Sequence, residues 1–452
     1  MKKLLLLTTL FICCFKIGYS QPGALDPSFG TNGVVKASLG AKHVYPSAGK
    51  QVLPLSDGSL FVVFETSGLT FITKKHSDGS TDSTYGQAGF SVSTNVSDVH
   101  AVLQKDGKIV VAGKKLVNRG EFSDYDFALT RYKTDGTLDL TFGLNGMIAT
   151  DFEYNNKDIL NSIVIQGDGK IFVAGTTLNT ERVHDDPTIA LARYNSNGSL
   201  DNTFNGNGML ITQLQTEHPV CSAIQTDGKT IVAGSVYEGL TIARYNSNGS
   251  LDDTFKYTGN VRSDGYSLAN TLAIQSDGKI TLGGQHDNGG ADFSVIRLNV
   301  DGSLDNSFGN SGIQTTDFRT YDDGINSLAI QADGKIVAVG YASNGLNYAF
   351  AIARYNTDGS IDNTFDADGK KMTFIGSGNI YAVSTAILSN GKIISAGYNN
   401  IVLAKYNTDG SLDKTFNRSG TLVNSIKQKN TWFTSSVVQK DGKIVSAGYI
   451  SN

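Results

Sequence analysis

The side chains in this sequence most able to do chemistry stand where one stretch of chain differs from the next. They are His184, Asp185 and Asp186 with Arg182 just before them, Asp158 with Glu153, and the adjacent pair Asp322 and Asp323; Lys114, Lys115 and Arg119 supply further charge. Acids of this kind could hydrogen-bond a polar ligand, or work in pairs as acid and nucleophile on a glycosidic bond. A second set recurs. Arg131, Arg193, Arg244, Arg297 and Arg354, with Lys405, each follow a short apolar run, and each precedes a Leu-Asp or Ile-Asp pair such as Leu200-Asp201. A basic row could bind anions, but an arginine beside apolar strands needs a partner, so pairing with that aspartate is the expected arrangement. A catalytic residue is needed once; a residue present in every copy is scaffold.

Familiar reaction signatures do not fit. Asn356-Thr357-Asp358-Gly359-Ser360-Ile361-Asp362 resembles part of a calcium loop, yet aligned on its glycine it puts Arg354 and Phe365 where the first and last acidic ligands belong. It reads as a turn. Gly228-Lys229-Thr230 mimics the end of a phosphate loop, but Ala223 replaces the first glycine and no helix follows. No histidine pair has metal spacing, and sequons such as Asn197-Gly198-Ser199 fall in tight turns. No metal site and no cofactor are expected.

The elements that carry these residues repeat. Asp106-Gly107-Lys108, Asp168-Gly169-Lys170, Asp227-Gly228-Lys229, Asp277-Gly278-Lys279, Asp333-Gly334-Lys335 and Asp441-Gly442-Lys443 mark one turn, with variants at Asp57-Gly58-Ser59 and Asn390-Gly391-Lys392. A Leu-Asp-x-Thr-Phe motif recurs with its aromatic at Phe29, Tyr85, Phe142, Phe204, Phe255, Phe308, Phe365 and Phe416, 51 to 62 residues apart. Each unit reads as four strands, A to D. In one of them A is Ser162 to Gln166, B Lys170 to Thr176, C Ile189 to Tyr194, and D lies near Gly208 to Gln213. Asp-Gly suggests a two-residue hairpin turn between A and B. Ile171-Phe172-Val173-Ala174 is apolar at consecutive positions, as in a strand buried on both faces.

No helical period appears after residue 20, so the fold expected is all-β: a β-propeller of eight four-stranded blades. The chain starts mid-unit, with a D-like strand near Gly33 to Ala37, and stops after strands A (Trp432 to Gln439) and B (Lys443 to Tyr449). Pairing of the N- and C-terminal strands would close the ring and remove two apolar end faces. Strand C of the last unit has no counterpart, so that blade is three-stranded or the chain is shorter than its parent.

The Gln-x-Asp-Gly-Lys-Ile turn, the Ala-Arg-Tyr-Asn-x-Asp-Gly-Ser stretch and Leu-Asp-x-Thr-Phe-Gly resemble the delta-60 repeat family of bacterial secreted and surface proteins. The resemblance covers nearly all of residues 21–452. It implies a propeller in an extracellular setting and brings no catalytic residues.

The first twenty residues agree with that setting. Lys2 and Lys3 precede an apolar run from Leu4 to Phe15, and Gly18 and Ser20 stand where a signal peptide is cut. Ile12 before Cys13 argues against a lipid anchor. Removing residues 1–20 leaves 35 basic and 42 acidic residues, a balance of −7, which disfavours nucleic acid as partner. Cys221 is then the lone cysteine, so no internal disulfide can form; it reads as a small buried apolar residue. Trp432 is expected to pack on the closing strand, or to stack on a sugar.

Antiparallel strands put the A–B and C–D turns, short and uniform, on one face. The variable B–C loops (Gly113 to Asp126, Gly175 to Thr188) and D–A loops (Asp151 to Leu160, Thr316 to Ile325) lie on the other. Function is expected there: a monomeric secreted module binding an extracellular protein or glycan through His184, Asp185, Asp186, Arg182, Asp158, Asp322 and Asp323. The alternative is a glycan hydrolase or lyase on the same face.

Overall fold

The computed structural model describes residues 48–450 apart from short segments, the longest of them 180–186. Among the described residues all regular elements are strands. They fall into sets of four: β1–β4 (Ala48–Pro54, Leu60–Thr66, Leu69–Lys75, Phe90–Ser93) and β5–β8 (Ser97–Leu103, Ile109–Asn118, Ser123–Tyr132, Met147–Thr150). Next come β9–β12 (Asn156–Ile165, Ile171–Asn179, Thr188–Tyr194, Met209–Gln215) and β13–β16 (Cys221–Ile224, Thr230–Val236, Gly239–Tyr245, Gly259–Val261). Then follow β17–β20 (Tyr266–Ile274, Ile280–Asp287, Ala291–Leu298, Ile313–Thr316) and β21–β24 (Asp323–Ile330, Ile336–Ser343, Tyr348–Tyr355, Lys370–Thr373). The last are β25–β28 (Tyr381–Ile387, Ile393–Tyr398, Ile401–Tyr406, Thr421–Asn424) and the pair β29–β30 (Thr431–Val438, Ile444–Ile450). Each set of four is an antiparallel meander, and among the described residues one parallel bridge, Tyr125 to Lys157, joins the second set to the third. At the chain's far end, β29 and β30 lie against β1. The segment near Gly33 to Ala37, and residues 1–20, lie outside the described residues.

The consecutive apolar runs have the expected cause. Ile171 and Val173 belong to one buried cluster, with Phe127 and Leu129 of the preceding unit. Their neighbours Phe172 and Ala174 belong to another, with Val232 and Ala243 of the following unit. A strand sandwiched between two sheets must be apolar on both faces. All four residues are fully buried.

The Asp-Gly turn differs from the two-residue hairpin expected. Gly169 N–H donates to Gln166 O at 2.9 Å, and Gln166 N–H donates to Lys170 O at 2.8 Å. Gly169 has φ +87°, whereas Asp168 is not in the left-handed region. This is a type I turn followed by a left-handed bulge residue, which needs glycine at one position only. The aspartate acts through its side chain instead, since Asp168 Oδ1 accepts from Lys170 N–H at 3.1 Å.

The loops at the other end are shorter than the sequence suggests. β6 and β7 pair from Ile109 with Tyr132 out to Asn118 with Ser123, so most of the stretch from Gly113 to Asp126 is strand. Asp158 lies within β9, and Asp323 opens β21.

Candidate functional site

On the face of the short turns the repeated charges are consumed internally. Arg193 Nε lies 2.7 Å from Asp201 Oδ2, and the matching pairs at Arg131, Arg244, Arg297 and Arg354 span 2.6 to 2.9 Å. Lys405 replaces the arginine at 3.4 Å from Asp413. The lysine of the Asp-Gly-Lys turn adds a second cation, as with Lys170 at 3.0 Å from Asp201. Asp201 Oδ1 accepts from the Thr203 amide and hydroxyl. Each arginine also donates to a C–D turn carbonyl of the next unit, Arg193 to Ser247 O. Burial alone would raise the pKa of Asp201, but Thr203, Lys170 and Arg193 hold it well below the usual carboxylate range. The ion pairs expected from sequence are therefore present, and the arginine row serves the joints between units.

The other face is different. His184, Asp185, Asp186 and Arg182 lie outside the described residues. Asp158 and Asp323, read from sequence as loop acids, are instead fully buried. Asp322 is exposed, its Oδ1 3.4 Å from the Ala291 amide. Asp158 gathers with Asp126 and Asp151, one carboxylate oxygen from each lying within 4.8 Å of the others, and Asp323 gathers in the same way with Asp292 and Asp317.

The two clusters are built alike. One acid precedes a phenylalanine on strand C: Asp126-Phe127 in β7, Asp292-Phe293 in β19. A second follows strand D and precedes another phenylalanine: Asp151-Phe152, Asp317-Phe318. The third lies on the next strand A, where its Oδ2 accepts the amide of that second phenylalanine, Phe152 N to Asp158 at 3.0 Å and Phe318 N to Asp323 at 2.8 Å. The paired rings meet edge to face at 4.9 Å in both. Elsewhere the first position is Leu69, Thr188, Gly239, Ala349 or Asn400. Sequence reading missed Asp126, Asp151, Asp292 and Asp317 because the three acids of a cluster come from separate strands. The signal was there: a paired Asp-Phe that recurs at matching places in only two units.

Burial dominates the electrostatics. It pushes Asp158 up to about 7, against the lowering influence of the Thr177 hydroxyl and the Phe152 amide. Asp323 is likewise pushed up to about 7, despite bonds from the Phe318 and Ser343 amides. In the first cluster Arg119 intervenes, with ion pairs to Asp124 at 3.0 Å, Asp126 at 2.5 Å and Asp151 at 3.1 Å. Donors made only of oxygen suit a hard divalent cation, or can share protons.

Aromatic groups collect on the same face. Tyr341, Tyr348 and Tyr381 form a connected group with centroids 5.1 to 5.5 Å apart. The Tyr341 hydroxyl donates to Gln285 at 3.0 Å, and Tyr321 stands nearby against Gly345, half exposed. Cys221 is half-buried as a residue and packs against a buried apolar cluster; its thiol, 3.6 Å from Ala233 O, is enclosed, and burial pushes it up to about 12. Trp432 lies on β29; its packing falls outside the described residues.

Four-stranded antiparallel meanders repeated along the chain, each sandwiched between its neighbours, define a protein of β-propeller repeats. Six segments, residues 104–142, 166–204, 225–255, 275–308, 331–365 and 388–416, match the family described as a domain of unknown function (DUF5122) beta-propeller. No curated protein matches the chain. Among solved structures it is similar to the Dos1 propeller (12% identity, 90% of this chain and 93% of that one, TM-score 0.47). It is also similar to an ulvan lyase of polysaccharide lyase family PL25 (9%, 82% and 96%, 0.47) and to virginiamycin B lyase from Staphylococcus aureus (11%, 78% and 92%, 0.44). Among the described residues no helix is long and apolar enough to cross a membrane.

Proposed function

We propose that this chain is a secreted binding module, a monomeric ring of eight delta-60-type blades forming one domain, cut near Ser20, that takes an extracellular glycan on the face of its B–C and D–A loops. One observation carries the reading: the groups that differ between units, acids and tyrosines together, gather on that face, whereas the uniform face satisfies its charges internally. An exposed ring such as Tyr321, next to the exposed acid Asp322, suits a sugar, which offers apolar C–H faces and hydroxyl donors. The contact of β1 with β29 and β30 supports closure.

A glycan screen on residues 21–452 tests it. A hit should be lost when His184, Asp185 and Asp186 are all replaced by alanine, with the melting temperature nearly unchanged. Binding lost only in variants of the short-turn face, or binding to proteins alone, overturns the reading. Removing residues 21–40 should lower the melting temperature if they complete the last blade, and an unchanged value speaks against closure.

The alternative, a glycan hydrolase or lyase, draws support from the pKa near 7 of Asp158 and Asp323, a value useful to a general acid. Both carboxyls are fully buried, however, so a polymer could reach neither without the blades parting. Turnover of any bound glycan, abolished by Asp158→Asn or Asp323→Asn, would establish the enzyme.

A further inference from the structure

The two acid clusters are equivalent in construction but not in how their oxygens are satisfied. In the second, both oxygens of Asp323 accept backbone amides, from Phe318 at 2.8 Å and Ser343 at 3.3 Å. In the first, Asp158 Oδ2 takes the Phe152 amide and the Thr177 hydroxyl stands across the strand from the carboxylate, while Asp158 Oδ1 is buried with no hydrogen-bond partner among the described residues. Asp151 repeats the pattern, with Oδ2 on Arg119 and Oδ1 buried without a partner. Asp126 Oδ1 is engaged by Arg119. Two buried carboxylate oxygens without donors thus belong to acids whose atoms converge within 4.8 Å. A buried acceptor left unsatisfied costs roughly the loss of a hydrogen bond or more, and a buried charge costs further unless paired.

Charge points the same way. Arg119 is one cation facing Asp124, Asp126 and Asp151, with Asp158 behind them. Lys115 is the cross-strand neighbour of Asp126, and among the described residues it forms no ion pair with the cluster. The two strands are also joined at this place: a parallel bridge between neighbouring units, Tyr125 to Lys157, is formed by the residues immediately before Asp126 and Asp158.

We propose that Asp126, Asp151 and Asp158 form a calcium site, with the Arg119 guanidinium as a fixed counter-cation beside it. Three carboxylates and water supply the all-oxygen, irregular shell that calcium accepts, whereas magnesium demands a stricter octahedron. Asp151 is half-buried and gives the ion its path from solvent. The site is independent of the glycan reading above, and it would tie two blades together whatever the ligand.

The test uses the mature chain stripped with chelator and titrated with calcium chloride, followed by calorimetry and by the calcium-dependent rise in melting temperature. One ion per chain is expected. Asp158→Asn should abolish the calcium-dependent rise, and Asp151→Asn, at a more open position, should weaken binding by at least about tenfold, as loss of a direct ligand should cost no less than loss of an outer-shell partner. Asp253→Asn, an exposed acid on the opposite face, should leave binding unchanged. No calcium binding at millimolar concentration overturns the proposal and leaves a proton as the neutralising species. An ion lost in Asp317→Asn but kept in Asp158→Asn overturns it too, because the ion then sits in the other cluster.

Discussion

Asp201 and Asp158 are both buried aspartates in the same fold, on opposite faces, and burial acts on them in opposite net directions. Asp201 is 3% exposed and Asp158 fully buried, yet Asp201 is held far below the ordinary carboxylate range and Asp158 is pushed up to about 7. The difference lies in the donors. Arginine, lysine, and the hydroxyl and amide of a threonine all converge on Asp201. Asp158 has one backbone amide, a threonine hydroxyl and other acids as neighbours. Desolvation sets the size of the stake, and the surrounding donors set its sign. A face that spends its carboxylates on the joints between units is scaffold; a face that leaves them short of donors is available for something else.

The largest effect should come from breaking the satisfied side. Asp201→Ala leaves Arg193 buried without its carboxylate, and loss of one partner of a buried pair costs about 3–5 kcal/mol. Denaturant unfolding measures it, and a loss below about 1 kcal/mol would place the pair with ordinary surface ion pairs.

An intermediate effect should appear with pH, in chelator. Asp158 and Asp323 have folded pKa values raised above their unfolded ones, so their contribution is fully present below about pH 4 and is lost as pH rises through about 7. Asp201 and its equivalents are depressed, so theirs is present above about pH 4 and lost as pH falls further. Stability should therefore decline from about pH 4 to pH 7. Asp158→Asn with Asp323→Asn should flatten that decline and raise the melting temperature at pH 8. A slope unaltered by the double substitution would show that the two acids do not titrate as described.

The smallest effect sharpens the contrast within one face. Asp322 is exposed beside buried Asp323, so Asp322→Ala should shift stability by no more than about 0.5 kcal/mol. A larger loss would mean that its contact with the Ala291 amide matters more than its 3.4 Å length suggests.

Much of this contrast could be read from the sequence, and some could not. Repetition gave the strand pattern, and residues present in every unit marked the Arg193–Asp201 type of pair, which the geometry bears out. The acids of the other face were found only in part. Asp158 and Asp323 were picked out because they are not repeated in every unit, but strand extension beyond the apolar runs hid their burial: β9 and β21 begin at or before them. Asp126 and Asp151 were passed over because contact between residues on different blades has no local signature. The turn type was misread for a related reason. Asp-Gly is compatible with two turn geometries, and the side chain before it does not choose between them: Leu388, standing where other units have glutamine, makes the same amide and carbonyl bonds within its turn.

The alternation of core residues along the middle strands reverses the usual relation between sequence distance and energetic coupling. Phe172 and Val173 are covalent neighbours, yet they face different blades and share no cluster. Val173 and Leu129, by contrast, are far apart in sequence and share one cluster. Substitutions at 172 and 173 should then add almost independently, while those at 129 and 173 should not. Each joint between blades can drift in sequence without disturbing the next, so a chain of this kind can diversify one blade boundary at a time.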